Sequence, residues 1–108
     1  MGMVNITRLA RVIRSKNAGP YELTLDIIFN DAETYRRVKA KRLINKKLIA
    51  GLYHIPEEQV LALVAFDPAN AVKATIVRSR PCGDVGETDV YGAQQHAPLL
   101  ELELPWDD

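Results

Sequence analysis

The sequence predicts an α+β fold: a two-layer sandwich with a ferredoxin-like sheet, mixed or antiparallel, of about four strands and helices on one face. Three observations point there. Tyr21 to Phe29 alternates apolar and polar residues with a period of two, as a strand covered on one side does. Val60 to Phe66 is a short unbroken apolar run of strand length. Between them lie two stretches of helical spacing, grouped together rather than alternating with further strands.

Taken in order, Ile6 to Arg14 has apolar positions 6, 9, 10 and 13, which suit one helical face, yet the segment is short enough to be a strand as well. Ser15-Lys-Asn-Ala-Gly-Pro20 reads as a turn, because Asn17 and Gly19 tolerate positive φ and Pro20 turns its predecessor away from helix. The strand from Tyr21 to Phe29 sets Leu23, Leu25, Ile27 and Phe29 on one face, with Thr24, Asp26 and Ile28 on the other. Asn30 or Asp31 caps the first helix, Glu33 favours its positive end, and Ala32, Tyr35 and Val38 form its apolar stripe.

A second helix is expected from Asn45 to Tyr53, buried through Leu48, Ile49, Leu52 and Tyr53 and ended by Pro56. Val60 to Phe66, apolar on both faces, is expected at the centre of the sheet. Asp67-Pro-Ala-Asn70 is a turn signal, and Val72 to Arg78 returns as the second strand of a hairpin. Arg80 to Glu87 reads as a loop. Leu99 to Leu104 alternates like a strand, while Pro98 also suits the first residue of a helix; Pro105 is expected to stop either.

Residues 1–108 are expected to form a single domain, long enough to bury a core. Apolar content of 47% with 26% charged residues is that of a soluble globular chain rather than a disordered one. Fourteen basic and fourteen acidic side chains cancel, so no global field draws the chain to nucleic acid or an anionic membrane. No apolar run approaches the roughly 18 residues of a bilayer span, and Met1 to Ile6 lacks the basic flank and apolar stretch of a signal peptide. Cys82 is the only cysteine, which excludes an intrachain disulfide and fits a reducing compartment. A cytoplasmic location is the expectation.

Two polar clusters carry the functional reading. Arg14, Ser15, Lys16 and Asn17 place a guanidinium, a hydroxyl, an ammonium and an amide beside a glycine, a set suited to a carboxylate or phosphate. The alternative is a solvated turn whose Ser and Asn bond local backbone. Tyr91-Gly-Ala-Gln-Gln-His96 holds the second set: His96 is the candidate general acid or base, and Gln94 and Gln95 would orient a substrate. Against this stands a structural role for His96, since no spacing selects Asp26, Asp84 or Asp89 as its partner. Asp26 interrupts an apolar strand; if its face is buried it needs Arg14 or Lys16, and otherwise it is solvated.

Arg36 to Lys47 contains seven of the fourteen basic residues and no acid, which reads either as the wet side of a helix or as a receiver of coenzyme A phosphates. No Cys/His spacing suits a metal, and no Walker loop, dinucleotide fingerprint or nucleophile elbow is present. Trp106, after Pro105, docks either on the domain or on a partner.

Three stretches carry a family resemblance: Val12 to Phe29, Val64-Ala-Phe-Asp-Pro68, and Thr88-Asp-Val-Tyr-Gly-Ala-Gln-Gln-His-Ala-Pro-Leu-Leu100. On these the chain closely resembles a small bacterial domain-of-unknown-function family over essentially its whole length. That family is associated with proteins similar to the acyclic terpene utilisation protein AtuA. A looser likeness is to the ferredoxin-like C-terminal domain of some AtuA-like proteins, whose Arg-Ser-Gly-Asp-Lys-Gly loop is partly echoed by Arg14 to Gly19, without its acidic residue. The likeness favours a strand over Ile6 to Arg14.

What the resemblance implies is a small subunit or accessory domain of a two-component metabolic enzyme, with a larger AtuA-like partner and an organic acid or acyl-CoA as ligand. Arg14, Lys16 and Asn17 would hold the acid, with Gln95 and His96 on the opposite wall. Two other readings stand beside it: a self-contained ligand-binding or regulatory module, as a monomer or a homo-oligomer, and an independent enzyme using His96 as base. The cofactor is not indicated by the sequence.

Overall fold

The computed structural model describes residues 2–19, 21–77 and 97–106. Its strands are β1 (Gly2–Asn5), β2 (Ala10–Gly19), β3 (Glu22–Phe29), β4 (Val60–Phe66), β5 (Ala71–Val77) and β6 (Glu103–Trp106). Helices α1 (Ala32–Lys41) and α2 (Lys46–Tyr53) lie between β3 and β4. The main sheet has the order β2-β3-β5-β4, antiparallel at every pairing, and β1 pairs with β6 in a separate two-stranded ribbon. The chain is therefore α+β with a four-stranded antiparallel sheet. A ferredoxin-like arrangement is not confirmed: that fold is a β-α-β-β-α-β chain, whereas here two hairpins, β2–β3 and β4–β5, flank both helices.

Alternation in β3 organises the core. Leu23, Leu25 and Ile27 lie opposite Ile76, Ala74 and Val72 of β5, and all six are buried on one face. Tyr35 and Val38 of α1 and Ile49 and Ala50 of α2 join the same cluster, as do Ile6, Leu99, Leu102 and Leu104. The helix limits follow local chemistry. Asp31 and Asn45 cap the two N-termini, accepting from the Thr34 and Leu48 amides at 2.8 and 2.9 Å. Both helices close with a residue in the left-handed region, Arg42 (φ 51°) and His54 (φ 56°). The next amides, of Leu43 and Ile55, bond back to Val38 and Ala50, each at 3.1 Å, as in a Schellman closure.

Three sequence expectations are corrected, and the open reading of Ile6 to Arg14 is resolved. Ser15 to Asn17 are not a turn but the second half of β2, paired with Leu25, Thr24 and Leu23; the reversal comes after Gly19, which pairs with Glu22. Pairing against the buried strand β3 outweighs the turn preference of Ser and Asn. Ile6 to Arg14 divides into a 3₁₀ turn over Ile6–Arg8 and the start of β2. Among the described strands Val60 to Phe66 lies at the edge rather than the centre, with Leu61, Val64 and Phe66 about half exposed; β5 lies inside it. An apolar run shows that a strand forms without showing which neighbours it receives.

Finally, Pro98 lies in a 3₁₀ turn over Ala97–Glu101, and the strand after it includes Pro105 opposite Met3. A two-stranded ribbon tolerates proline because each strand has an unpaired edge. Trp106 docks on the domain, with the Arg37 guanidinium 4.0 Å from its ring centre.

Candidate functional site

Strand register builds a polar groove on the face of the sheet opposite the core. Residues of one face that oppose one another across antiparallel strands have Cβ atoms about 5 Å apart. Arg14 faces Asp26, which faces Lys73, which faces Val64. The adjoining row is Lys16, Thr24, Thr75 and Ala62. Arg14, Lys16, Thr24, Asp26 and Lys73 line a cavity of about 850 Å³. Three cations against one carboxylate leave its lining with a surplus of two positive charges.

Asp26 is the fulcrum of this groove. Its residue is only 8% exposed, and it is the one charged side chain among the buried residues described. Arg14 Nε donates to Asp26 Oδ2 at 3.0 Å, from a side chain that is itself 60% exposed. The pair thus has one dry and one wet partner. Asp26 Oδ1 is buried and has no hydrogen-bond partner among the described residues. Lys73, the cross-strand neighbour, does not supply one: its ammonium lies 6.0 Å from the centre of the Phe66 ring. Beyond the Nε contact, the terminal nitrogens of Arg14 engage no described residue, and neither does the Lys16 ammonium.

The expected cluster is therefore divided by the pleat. Arg14 and Lys16 project to the groove with Asp26, while Ser15 and Asn17 occupy the register positions of Leu25 and Leu23 on the core side. Ser15 is buried there. Both border the cavity where β2 runs along it and both have bonding partners. Gln94, Gln95 and His96 lie outside the described residues, as do Tyr91, Cys82, Asp84 and Asp89. Among the described residues, no group of three or more His, Cys, Asp and Glu side chains has a metal-binding arrangement. No described helix is long and apolar enough to cross a membrane.

Lys73 and Thr24 are groove residues that sequence reasoning missed. Thr24 was placed on the face of Asp26 by alternation, so its signal existed. Lys73 is the only cation in β5, but its place beside Asp26 depends on a pairing 47 positions away in the chain.

A second polar contact serves the scaffold. The Tyr35 hydroxyl donates to Asp67 Oδ1, and Lys39 Nζ donates to the same oxygen at 2.9 Å, tying α1 to the turn between β4 and β5. These two bonds hold the Asp67 carboxyl below its ordinary range. Burial, and then the bond to Asp67, push the Tyr35 phenol up to about 12. The basic stretch Arg36 to Lys47 is mostly exposed, with Arg37 on Trp106 and Lys39 on Asp67.

No curated protein and no solved structure matches the chain. A family model does, over residues 6–103, which takes in the whole main sheet and both helices and leaves out β1 and all of β6 but its first residue. The chain belongs to the family described as a domain of unknown function, DUF4387.

Proposed function

We propose that this chain is the small subunit or accessory domain of a two-component metabolic enzyme, holding an organic acid or acyl-CoA in the groove beside Asp26. The carrying observation is a cavity with surplus positive charge around a buried carboxylate whose second oxygen has no partner among the described residues. Such a lining holds and orients an anion. On this proposal the chemistry itself belongs to the partner. Val64 and Phe66, exposed on the same face, give that partner an apolar rim to cover. The resemblance to a family associated with AtuA-like proteins supports an AtuA-like protein as that partner.

Co-expression with an AtuA-like protein tests the reading. Co-purification, with turnover of an organic acid or its coenzyme A ester only in the mixture, is the expected result. Full turnover by the large protein alone, unchanged on adding this chain, rejects it.

A self-contained ligand-binding module is the second reading, favoured by the contact of Arg14 with Asp26, which sets an anion-holding guanidinium at the groove. Binding by the isolated chain that is unaffected by the large protein selects it.

A further inference from the structure

Resting on the reading of the groove as an organic-acid site, we infer that its ligand is a small hydroxy acid, one carrying a hydroxyl close to its carboxylate. The unpaired Asp26 Oδ1 decides the first half of this. A carboxylate oxygen only accepts, so whatever completes it brings a donor. A simple fatty acid has none, and a second carboxylate placed there repels Asp26.

The cations decide the other half. Arg14 spends Nε on Asp26, leaving its terminal nitrogens to take a carboxylate in a two-point contact, with Lys16 two residues along β2 on the same face. A ligand carboxylate seated on Arg14 brings its neighbouring carbon beside Asp26, because Arg14 and Asp26 are already in contact. The donor on that carbon is a hydroxyl rather than an ammonium. Arg14, Lys16 and Lys73 surround the groove with three positive charges against one, which disfavours a fourth cation. The Thr24 hydroxyl, on the same strand face as Asp26, adds a neutral partner able to donate or accept.

Calorimetric titration of the whole chain with 2-hydroxybutyrate, 3-hydroxybutyrate, butyrate and 2-aminobutyrate tests the inference. One of the hydroxy acids is expected to bind at least about tenfold more tightly than butyrate, with 2-aminobutyrate weaker than that hydroxy acid. Asp26→Leu, its folding checked by circular dichroism, removes the hydroxyl preference while butyrate still binds. Lys16→Ala weakens the hydroxy acid and butyrate by the same factor.

Equal binding of butyrate and both hydroxy acids, lost in Arg14→Ala, overturns the hydroxy-acid inference and leaves the anion site standing. Preference for 2-aminobutyrate overturns the charge argument, and a hydroxyl preference that survives in folded Asp26→Leu overturns the role of Asp26. No binding of any of the four acids overturns the inference outright. The need for a larger partner is read separately, in the mixing experiment.

Discussion

Replacing Arg14 by alanine should destabilise the fold, and the cost should disappear when Asp26 is first replaced by leucine. Arg14 Nε holds Asp26 Oδ2 at 3.0 Å, with side-chain exposures of 60% and 12%. A fully exposed pair would contribute about 0–1 kcal/mol. Breaking a fully buried one costs about 3–5 kcal/mol, because a dry charge is left unpaired. With one partner on each side of that boundary, Arg14→Ala should cost about 1–2 kcal/mol. Asp26→Leu has the opposite balance. It forfeits the pair but removes a desolvated carboxylate and an unmet acceptor worth about 1–3 kcal/mol, and it places a better strand former between two apolar neighbours. Its net effect should lie between neutral and a gain of about 2 kcal/mol.

The assay is urea unfolding at neutral pH of the parent, both single variants and the double variant. With a slope of about 1–1.5 kcal/mol/M for a chain this small, Arg14→Ala should lower the midpoint by about 1 M. In the Asp26→Leu background the same substitution should change stability by less than about 0.3 kcal/mol, giving a coupling of about 1–2 kcal/mol. An additive cycle would show that the pair does not sustain the buried carboxylate. Loss of more than about 1 kcal/mol in Asp26→Leu would mean that Oδ1 has a partner, and the argument for an incomplete site would fall with it.

Asn45→Ala should cost about 1 kcal/mol in the same assay, since it deletes the cap on the Leu48 amide. Arg42→Gly should instead stabilise by about 0.5–1 kcal/mol, because φ of 51° is strained for arginine and free for glycine; a loss would show that the Arg42 side chain does more than close α1. Stability should fall as pH rises from 10 towards 12. Tyr35 keeps its proton up to about 12 in the fold and releases it near 10 when unfolded, so over that window the unfolded state binds fewer protons. Tyr35→Phe should flatten that slope, leaving the part due to Tyr53, whose phenol burial also raises. In acid the sign reverses. Asp31 and Asp67 are held below 3.8 by their hydrogen bonds, so their contribution is complete above that pH and is lost as pH falls through the folded values, which titration by unfolding midpoint would read.

Much of the secondary structure was legible because its causes are local. The helix start at Asn30 or Asp31, the helical spacing from Asn45, and the alternation of β3 all act within one or two turns of chain. The bounds of β4 were legible too, although its place in the sheet was not. β1 escaped notice because four residues, Gly2 to Asn5, carry no periodic signal and become a strand only when β6 arrives from the far end. Ser15 to Asn17 escaped for a related reason: their turn preference is real, and only the partner strand overrules it.

The sequence by itself determined which side chains share a face. Arg14 with Lys16, and Thr24 with Asp26, follow from the two-residue period of any strand, once strand is granted. It also marked Asp26, placed among leucines and isoleucines, as needing a cation if its face were buried, and that burial came from the fold. Which cation, and what else stands beside it, was decided by tertiary structure alone. Pairing of β2 with β3 selects Arg14 and sends Ser15 and Asn17 to the other side. Pairing of β3 with β5 brings Lys73 next to Asp26, and Phe66 then draws its ammonium aside. A strand's period fixes direction without fixing neighbours. The buried, unmet acceptor on Asp26, on which the functional proposal rests, lies where three strands meet in one register.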